Sequence, residues 1–265
     1  MDHAADVWTS LSRIRADRPL VQNISNFVAM DLSANALLAI GASPAMVHAA
    51  EEAAEFTRIA GALVINIGTL SASWVTSMRS SAVTARNLRK PWVLDPVGCG
   101  ATAYRTDVAR ELAGLGPTLI RGNASEILAL HGRRPGRTRG VDSTDSAEAA
   151  RAAAIDLALD YSCVVGVTGE IDYVTNGGEM LAVHGSHPLL TRVTATGCAL
   201  SAICGAFLAV EPNPLHAVSH AFAAFATAGE RAAAGAPGPG TLRWRLLDEL
   251  HNLDEAALQA GVHIV

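Results

Sequence analysis

The sequence contains little positive charge and almost no lysine. Of its 265 residues, 20 are Lys or Arg and 25 are Asp or Glu, so that the formal charge is −5. A nucleic-acid-binding protein normally has a basic face, and we therefore expect no nucleic-acid partner. Lys90 is the only lysine, so a phosphate site would have to take its side-chain cations almost entirely from arginine.

Cysteine is also scarce, and no export or zinc-binding motif accompanies it. The four cysteines form no CxxC pair, and the charged, amphipathic N-terminal segment lacks the apolar core of a signal peptide. We therefore expect a reduced protein in the cytosol. The uncharged stretch 193–210 has roughly the length of a bilayer span, but its Thr, Ser, Gly and Cys residues predict a buried helix and no membrane association.

Short apolar runs alternate with alanine-rich helical patterns along the chain. The length is ordinary for one α/β domain, so we predict a single domain over residues 1–265. Nearly continuous apolar strands separated by helices are typical of a mostly parallel sheet with helices on both faces. The strand segments are "PLVQNI", "PAMV", "ALVINIG", "PWVLDPV", "PTLIRGN" and "SCVVGVTG".

Three segments depart from this alternation. "DYVTNGGEMLAV" predicts an antiparallel hairpin that turns at residues 176–178, and from Ala195 onward the pattern is mainly helical. "HGRRPGRTRGVDST" predicts a solvated loop that ends at a helix N-cap among Ser143, Thr144 and Asp145. A lid over an anionic ligand is the alternative for this loop.

Polar residues stand where most of the predicted strands end. Ligands of open α/β sheets collect at the carboxyl ends of the strands, so these residues form the candidate site. They are Asn23, Asn26, Asn66, Gly68, Asp95, Arg121, Asn123, Thr168 and Glu170.

The segment "DPVGCGATA" has the spacing of a dinucleotide-binding fingerprint through Gly98, Gly100 and Ala103. A nicotinamide-dependent enzyme is disfavoured, because the next strand ends in Arg121 and Asn123 and supplies no carboxylate for a ribose hydroxyl.

Asp95 and Glu126 are candidate magnesium ligands, since Mg²⁺ is often held by one or two carboxylates, waters and substrate phosphates. Each residue also has a structural interpretation. Asp95 would cap the loop before Pro96, and Glu126 would be a first-turn helix residue beside the capping residues Asn123 and Ser125.

The segment "VTATGCALSA" places Cys198 where a loop becomes a helix. The first N–H groups of a helix attract anions, and a cysteine in that turn is predicted to have a pKa below that of a free thiol. Phosphoryl transfer to an alcohol needs both anion donors and a base, and this helix start supplies both. Cys198 could instead be a packing residue like Cys204, or a covalent nucleophile activated by His184 or His187.

Together these motifs resemble hydroxyethylthiazole kinase, a thiamine-salvage family of the ribokinase-like superfamily. The segments that carry the resemblance extend from about residue 20 to 240. They include "NISNFVAMDLSANALLAIGASPAMVHAAEEAAEF", "ALVINIGTL", "PWVLDPVGCGATAYRT", "IRGNASEILAL", "VTGEIDYVTNG", "VTATGCALSA" and "VEPNPLHAVSHA". The resemblance implies ATP- and Mg²⁺-dependent phosphorylation of the hydroxyl of 4-methyl-5-(2-hydroxyethyl)thiazole by a homotrimer with active sites between subunits.

The resemblance also implies roles for individual residues. Cys198 would occupy the position where most superfamily relatives have an aspartate base. Asp95 and Glu126 would organise Mg²⁺. Met46, Ala195, Asn26 and Gly68 would contact the thiazole, and Arg121, Thr168, Asn123 and Gly197 would contact ATP.

Three alternatives remain within this resemblance. A hydroxymethylpyrimidine kinase would share "TGCALSA" but differ in the N-terminal segment, and the related dehydratases typically have Asp at the position of Cys198. The third is a thiazole-binding protein without catalysis, because relatives commonly have Gly where this chain has Ala195. A methyl group there could narrow the substrate pocket or obstruct a positive φ, and we expect it to affect substrate fit more than chemistry.

Overall fold

One nine-stranded sheet extends through the chain, of which the computed structural model describes residues 3–132, 146–185 and 187–265. Its strands are β1 (Leu20–Ile24), β2 (Ser43–Ala45), β3 (Ala62–Asn66), β4 (Trp92–Asp95), β5 (Leu119–Asn123), β6 (Val164–Thr168), β7 (Asp172–Thr175), β8 (Met180–His184) and β9 (His263–Ile264). Their order is β2-β1-β3-β4-β5-β6-β7-β8-β9. Neighbours from β2 to β6 pair in parallel, and β7, β8 and β9 add on antiparallel. The predicted mostly parallel sheet and the β7–β8 hairpin are both confirmed.

Helices cover both faces of this sheet. They are α1 (His3–Asp17), α2 (Met30–Ile40), α3 (Ala53–Ile59), α4 (Ala72–Asn87), α5 (Ala103–Ala113), α6 (Ala124–Gly132), α7 (Ser146–Tyr161), α8 (Thr196–Val210), α9 (Pro214–Ala234), α10 (Pro239–His251) and α11 (Glu255–Gly261). A 3₁₀ turn, Pro188–Arg192, precedes α8. Apart from its first two residues, which end α6, the predicted arginine-rich loop lies outside the described residues, as do its N-cap candidates Ser143, Thr144 and Asp145.

Each central strand supplies side chains to two hydrophobic cores. Val64 of β3 packs in the core with α1, α2 and α8–α11, whereas Leu63 and Ile65 pack in the core with α3–α7. Successive strand residues point to opposite faces, so a strand covered on both faces is apolar over most of its length. This requirement explains why the sequence runs were continuously hydrophobic and not alternating.

The uncharged stretch 193–210 forms a short turn after the 3₁₀ segment and then helix α8. Ten consecutive residues of α8, from Ala199 to Leu208, are buried, and the helix packs on α2, α9, β3 and β4. The prediction of a buried helix is confirmed. Within the described ranges, no helix is both long enough and apolar enough to span a membrane.

His220 on α9 gives the fold a predicted pH dependence. It is 4% exposed, and its Nδ1 lies 2.9 Å from Ser10 Oγ on α1. Burial lowers the pKa of His220 to about 4, so between about pH 6.5 and 4 the unfolded chain binds a proton that the folded chain does not. Folding stability contributed by neutral His220 is therefore lost as the pH falls through this window, by about 2–3 kcal/mol.

The variant His220→Asn, which keeps a polar group near Nδ1 but does not titrate, should lose less stability between pH 6.5 and 4 than the parent. The measurement is urea unfolding at several pH values. His216→Asn, on the same helix, controls for removal of an imidazole. Parallel pH profiles for His220→Asn and the parent would contradict the assignment.

Candidate active site

The candidate site lies at the carboxyl ends of β1 and β3–β6, facing the start of α8. Sheet register places Asn66 beside Asp95 and Asn123 beside Thr168. The loop that follows β1 brings Asn26 to the same place. The geometric expectation that the strand-end residues would gather is therefore met for most of them, whereas Asn23 donates back to Val21 of its own strand.

An amide network, consisting of Asn26, Asn66, Asp95, Cys198 and Ser201, forms the centre of the site. Asn66 Nδ2 donates to Asp95 Oδ2 at 2.7 Å and to Cys198 Sγ at 3.1 Å. Asn66 Oδ1 accepts from Asn26 Nδ2 at 2.7 Å. Since Asn26 Nδ2 also lies 3.6 Å from Cys198 Sγ, the sulfur accepts hydrogen bonds from two amides.

Asp95 is fully buried and only partly satisfied. Its Oδ2 accepts from Asn66 and, at 2.9 Å, from Ser201 Oγ on α8, whereas its Oδ1 has no partner among the described residues. Burial raises the pKa of Asp95 to about 6, an effect that nearby Arg121 opposes. The side chain therefore does not cap the loop before Pro96, and its free oxygen is suited to a cation or a water molecule.

Glu126 closes a reciprocal cap at the start of α6. Asn123 Oδ1 accepts from the Glu126 backbone N–H at 3.0 Å, and Glu126 Oε2 accepts from the Asn123 N–H at 2.9 Å, which is a capping-box arrangement. Glu126 Oε1 accepts from the Gly98 N–H at 2.8 Å. The Gly98 N–H, which a bound pyrophosphate would need as a donor, is thus already bonded to the Glu126 carboxylate. This hydrogen bond argues against the nicotinamide interpretation.

Arg121 is the cation of the site. It is 8% exposed, and its Nη2 donates to Thr168 Oγ1 at 2.8 Å, while its Nε has no partner among the described residues. A Cβ on Gly197 would lie 2.6 Å from Arg121 Nη1, so only glycine lets the start of α8 approach the guanidinium so closely. An unused donor beside a helix N-terminus is suited to a phosphate oxygen.

The predicted low pKa of Cys198 is wrong. Burial raises the pKa of this thiol to about 12, the charge of Asp95 adds to the rise, and the hydrogen bonds from Asn66 and Asn26 oppose it. The helix start is present as predicted, but desolvation outweighs it. The histidine alternative also loses support, because His187 Nδ1 accepts from the Leu189 N–H and His184 stacks on His263 with ring centroids 4.5 Å apart.

Ala195 adopts the left-handed conformation that glycine favours. Its φ of 68° and ψ of 6° precede the first residue of α8, so the methyl group has not prevented the positive φ that the sequence left in question. An L-residue pays about 1–2 kcal/mol for this conformation. The conformation is therefore retained at a cost to folding.

Ala195→Gly should raise the free energy of unfolding by about 0.5–1 kcal/mol, because relief of the left-handed strain exceeds the entropy that the unfolded chain gains. Chemical denaturation measures the change. Ala202→Gly, in the buried interior of α8, is the matched control and should destabilise by about 1 kcal/mol or more. Equal destabilisation by both substitutions would contradict the strain at Ala195.

Only some of the residues proposed to contact the thiazole lie close to one another. Gly68 lies against Asn26, since a Cβ on Gly68 would lie 2.6 Å from Asn26 Nδ2. Met46 follows β2, the edge strand beside β1, and no described contact joins it to the amide network. The turn that contains Met46 is anchored by Gln22, whose Nε2 donates to the Val47 carbonyl at 3.3 Å.

One member of the amide network was not selected from the sequence. Asn66 was named among the strand-end residues without a specific role, whereas Ser201 was not considered at all. The available signal was spacing, because Ser201 is three residues after Cys198 and hence on the same face of α8.

Comparison with known proteins identifies the family. The model of the Hydroxyethylthiazole kinase family matches residues 11–256. The chain belongs to this family. A hydroxyethylthiazole kinase of Rhizobium rhizogenes is 52% identical over 256 residues, which cover 96% of this chain and 95% of that protein. The family and the kinase activity expected from the motifs are thus confirmed.

Solved structures agree with this family assignment. A hydroxyethylthiazole kinase structure from Pyrococcus horikoshii superposes with a TM-score of 0.91 at 43% identity and covers 98% of each chain. A ribokinase-like superfamily protein from Enterococcus faecalis has a TM-score of 0.62 at 15% identity, covering 89% of this chain and 88% of that one. At that identity the likeness concerns the fold alone, and it confirms the ribokinase-like architecture of this hydroxyethylthiazole kinase family member.

Proposed function

We propose that this site transfers the terminal phosphoryl group of ATP to the side-chain hydroxyl of 4-methyl-5-(2-hydroxyethyl)thiazole. The observation that carries the proposal is the convergence of the half-used Arg121 guanidinium, the start of α8 and the sulfur of Cys198. Phosphoryl transfer depends mainly on positioning and on stabilising charge on the phosphoryl oxygens. Arg121, Thr168, Asn123 and the Gly197 backbone would form the ATP side.

The carboxylates of Asp95 and Glu126 fit a Mg²⁺ ion that binds together with the nucleotide. The described residues contain no group of three or more His, Cys, Asp or Glu side chains that could hold a metal. The free Oδ1 of Asp95 and the nearby Glu126 carboxylate instead suit a cation held partly by water and phosphate. When bound, Mg²⁺ would neutralise charge on the phosphate oxygens.

Cys198 would orient the acceptor hydroxyl as a neutral thiol. Its raised pKa leaves little thiolate near neutral pH, and both amides direct N–H groups at the sulfur. The S–H proton is therefore free to point away from these amides, toward the acceptor. A loose transition state needs little help with proton removal before the phosphoryl group arrives.

The thiazole would lie beside Asn26, Gly68, Ala195 and Met46, in a site between subunits of a homotrimer. The support for an assembly is the apolar surface at the mouth of the site, where Phe27 is 72% exposed and Val28 58% exposed. Light scattering on the purified protein tests the trimer.

We further propose that residues 1–265 act as one kinase domain in a reducing, cytosolic compartment. The continuous sheet from residue 20 to residue 264 supports the first point. The free thiols of Cys163, Cys198 and Cys204 support the second.

A screen of small alcohols with ATP and Mg²⁺, followed by coupled detection of ADP, tests the proposed reaction. We expect ADP release with the thiazole alcohol and much less with hydroxymethylpyrimidine. A preference for the pyrimidine would overturn the substrate assignment. Tight thiazole binding without ADP release would indicate a binding protein that has lost catalysis.

A further inference from the structure

Arg105 bonds to two loops that border the candidate site. It lies in the first turn of α5, and its Nη1 donates to the carbonyl oxygens of Ile67 and, at 2.9 Å, Val97. Its Nη2 donates to the carbonyl of Gly68 at 3.2 Å. One guanidinium therefore joins the loop after β3 to the loop after β4.

Each of these loops carries a different part of the site. Gly68 packs against Asn26 on the proposed thiazole side, and its N–H donates to Asn66 Oδ1 at 2.9 Å. Gly98 donates its N–H to the Glu126 carboxylate on the proposed magnesium side. The stem of Arg105 also supports Gly98, because a Cβ there would lie 3.1 Å from Arg105 Cδ.

The guanidinium is oriented by backbone oxygens and not by an acid. Among the ion pairs found in the described parts of the chain, none includes Arg105. A planar fork with several fixed donors can reach three carbonyls at once, whereas the ammonium of lysine is a single point of charge. An arginine that served only as a surface charge would not need hydrogen bonds to three backbone carbonyls in two loops.

We infer that Arg105 is a positioning residue, which holds the acceptor side and the metal side of the active site in one fixed arrangement. The inference rests on the proposed function for the identity of those two sides. Loss of the fork lets the two loops separate, and small displacements of reacting groups reduce rates strongly. The hydrogen bonds themselves do not depend on which alcohol is the substrate.

Arg105→Lys keeps the charge and removes the fork, and Arg110→Lys is its matched control. Arg110 lies on the same helix and, like Arg105, is half-buried. It donates to a single carbonyl, that of Ala129, at 3.2 Å. We expect Arg105→Lys to lower kcat about 10- to 100-fold and to raise the half-saturating concentrations of Mg²⁺ and thiazole alcohol. Arg110→Lys should lower thermal stability comparably but leave these kinetic values near those of the parent.

Amide hydrogen exchange on the complete protein separates this inference from the proposed function. Arg105→Lys should accelerate exchange at residues 67–69 and 97–100 together, and Arg110→Lys should accelerate neither. Unchanged exchange and kinetics in Arg105→Lys, or changes equal to those of Arg110→Lys, would overturn the positioning role. Absence of ADP release by the parent would overturn the proposed reaction while the exchange result still decided the role of Arg105.

Discussion

Cys198→Ala should lower kcat about 10- to 100-fold, because the acceptor hydroxyl loses an orienting contact, while the Kd for ATP stays close to that of the parent. The sulfur is held by two amides at the start of α8, and its loss removes the group proposed to orient the acceptor hydroxyl. The proposed ATP contacts, on Arg121 and Thr168, remain. Steady-state kinetics gives kcat, and calorimetric titration with a non-hydrolysable ATP analogue gives Kd.

Two further variants define the role of the sulfur. Cys204→Ala removes a fully buried thiol from the same helix and should leave kcat near the parent value. Cys198→Ser keeps a hydroxyl donor and, if a neutral thiol only orients the acceptor, should stay within about 10-fold of the parent. Equal losses in the Ser and Ala variants would instead favour a thiolate base, and an unchanged kcat in Cys198→Ala would remove residue 198 from the mechanism.

Glu126→Gln should raise the half-saturating Mg²⁺ concentration about 10- to 100-fold. The substitution removes a negative charge near Asp95, and it places an amide where the parent accepts the N–H groups of Gly98 and Asn123. The measurement is initial rate against free Mg²⁺ at fixed ATP. If only the charge matters, saturating Mg²⁺ restores kcat, whereas displacement of the Gly98 loop keeps kcat low.

The control for this change is Glu111→Gln on α5. Glu111 is half-exposed and pairs with Arg79 on the surface, so its neutralisation should leave the Mg²⁺ titration unchanged. Superimposable titrations of Glu126→Gln and the parent would limit Glu126 to capping α6.

The sequence predicted the fold well, because hydrophobic runs report burial directly. A strand covered on both faces is apolar over most of its length, and β3–β6 were found where the runs lay. The edge strand β2 was harder to predict. The predicted segment at residues 44–47 becomes β2 at Ser43–Ala45, and the chain has left the sheet by Met46.

The site was predicted as a set of positions but not as a set of interactions. Asp95 and Cys198 were both located, yet the pKa of the thiol changed in the opposite direction to the one predicted. A helix start is visible in the sequence, whereas desolvation depends on how deeply the folded chain buries the sulfur. The contacts of Arg105 could not be foreseen, because its partners are backbone carbonyls, which no residue type identifies.

The single amide group of Asn66 has a consequence for how this site can evolve. It has two hydrogens, one of which goes to Asp95 and the other to Cys198, so neither neighbour can change its shape or charge without altering the donor available to the other. Substitutions at residues 95 and 198 should therefore combine non-additively. A lineage that replaced the sulfur by another acceptor would have to adapt the carboxylate at the same time.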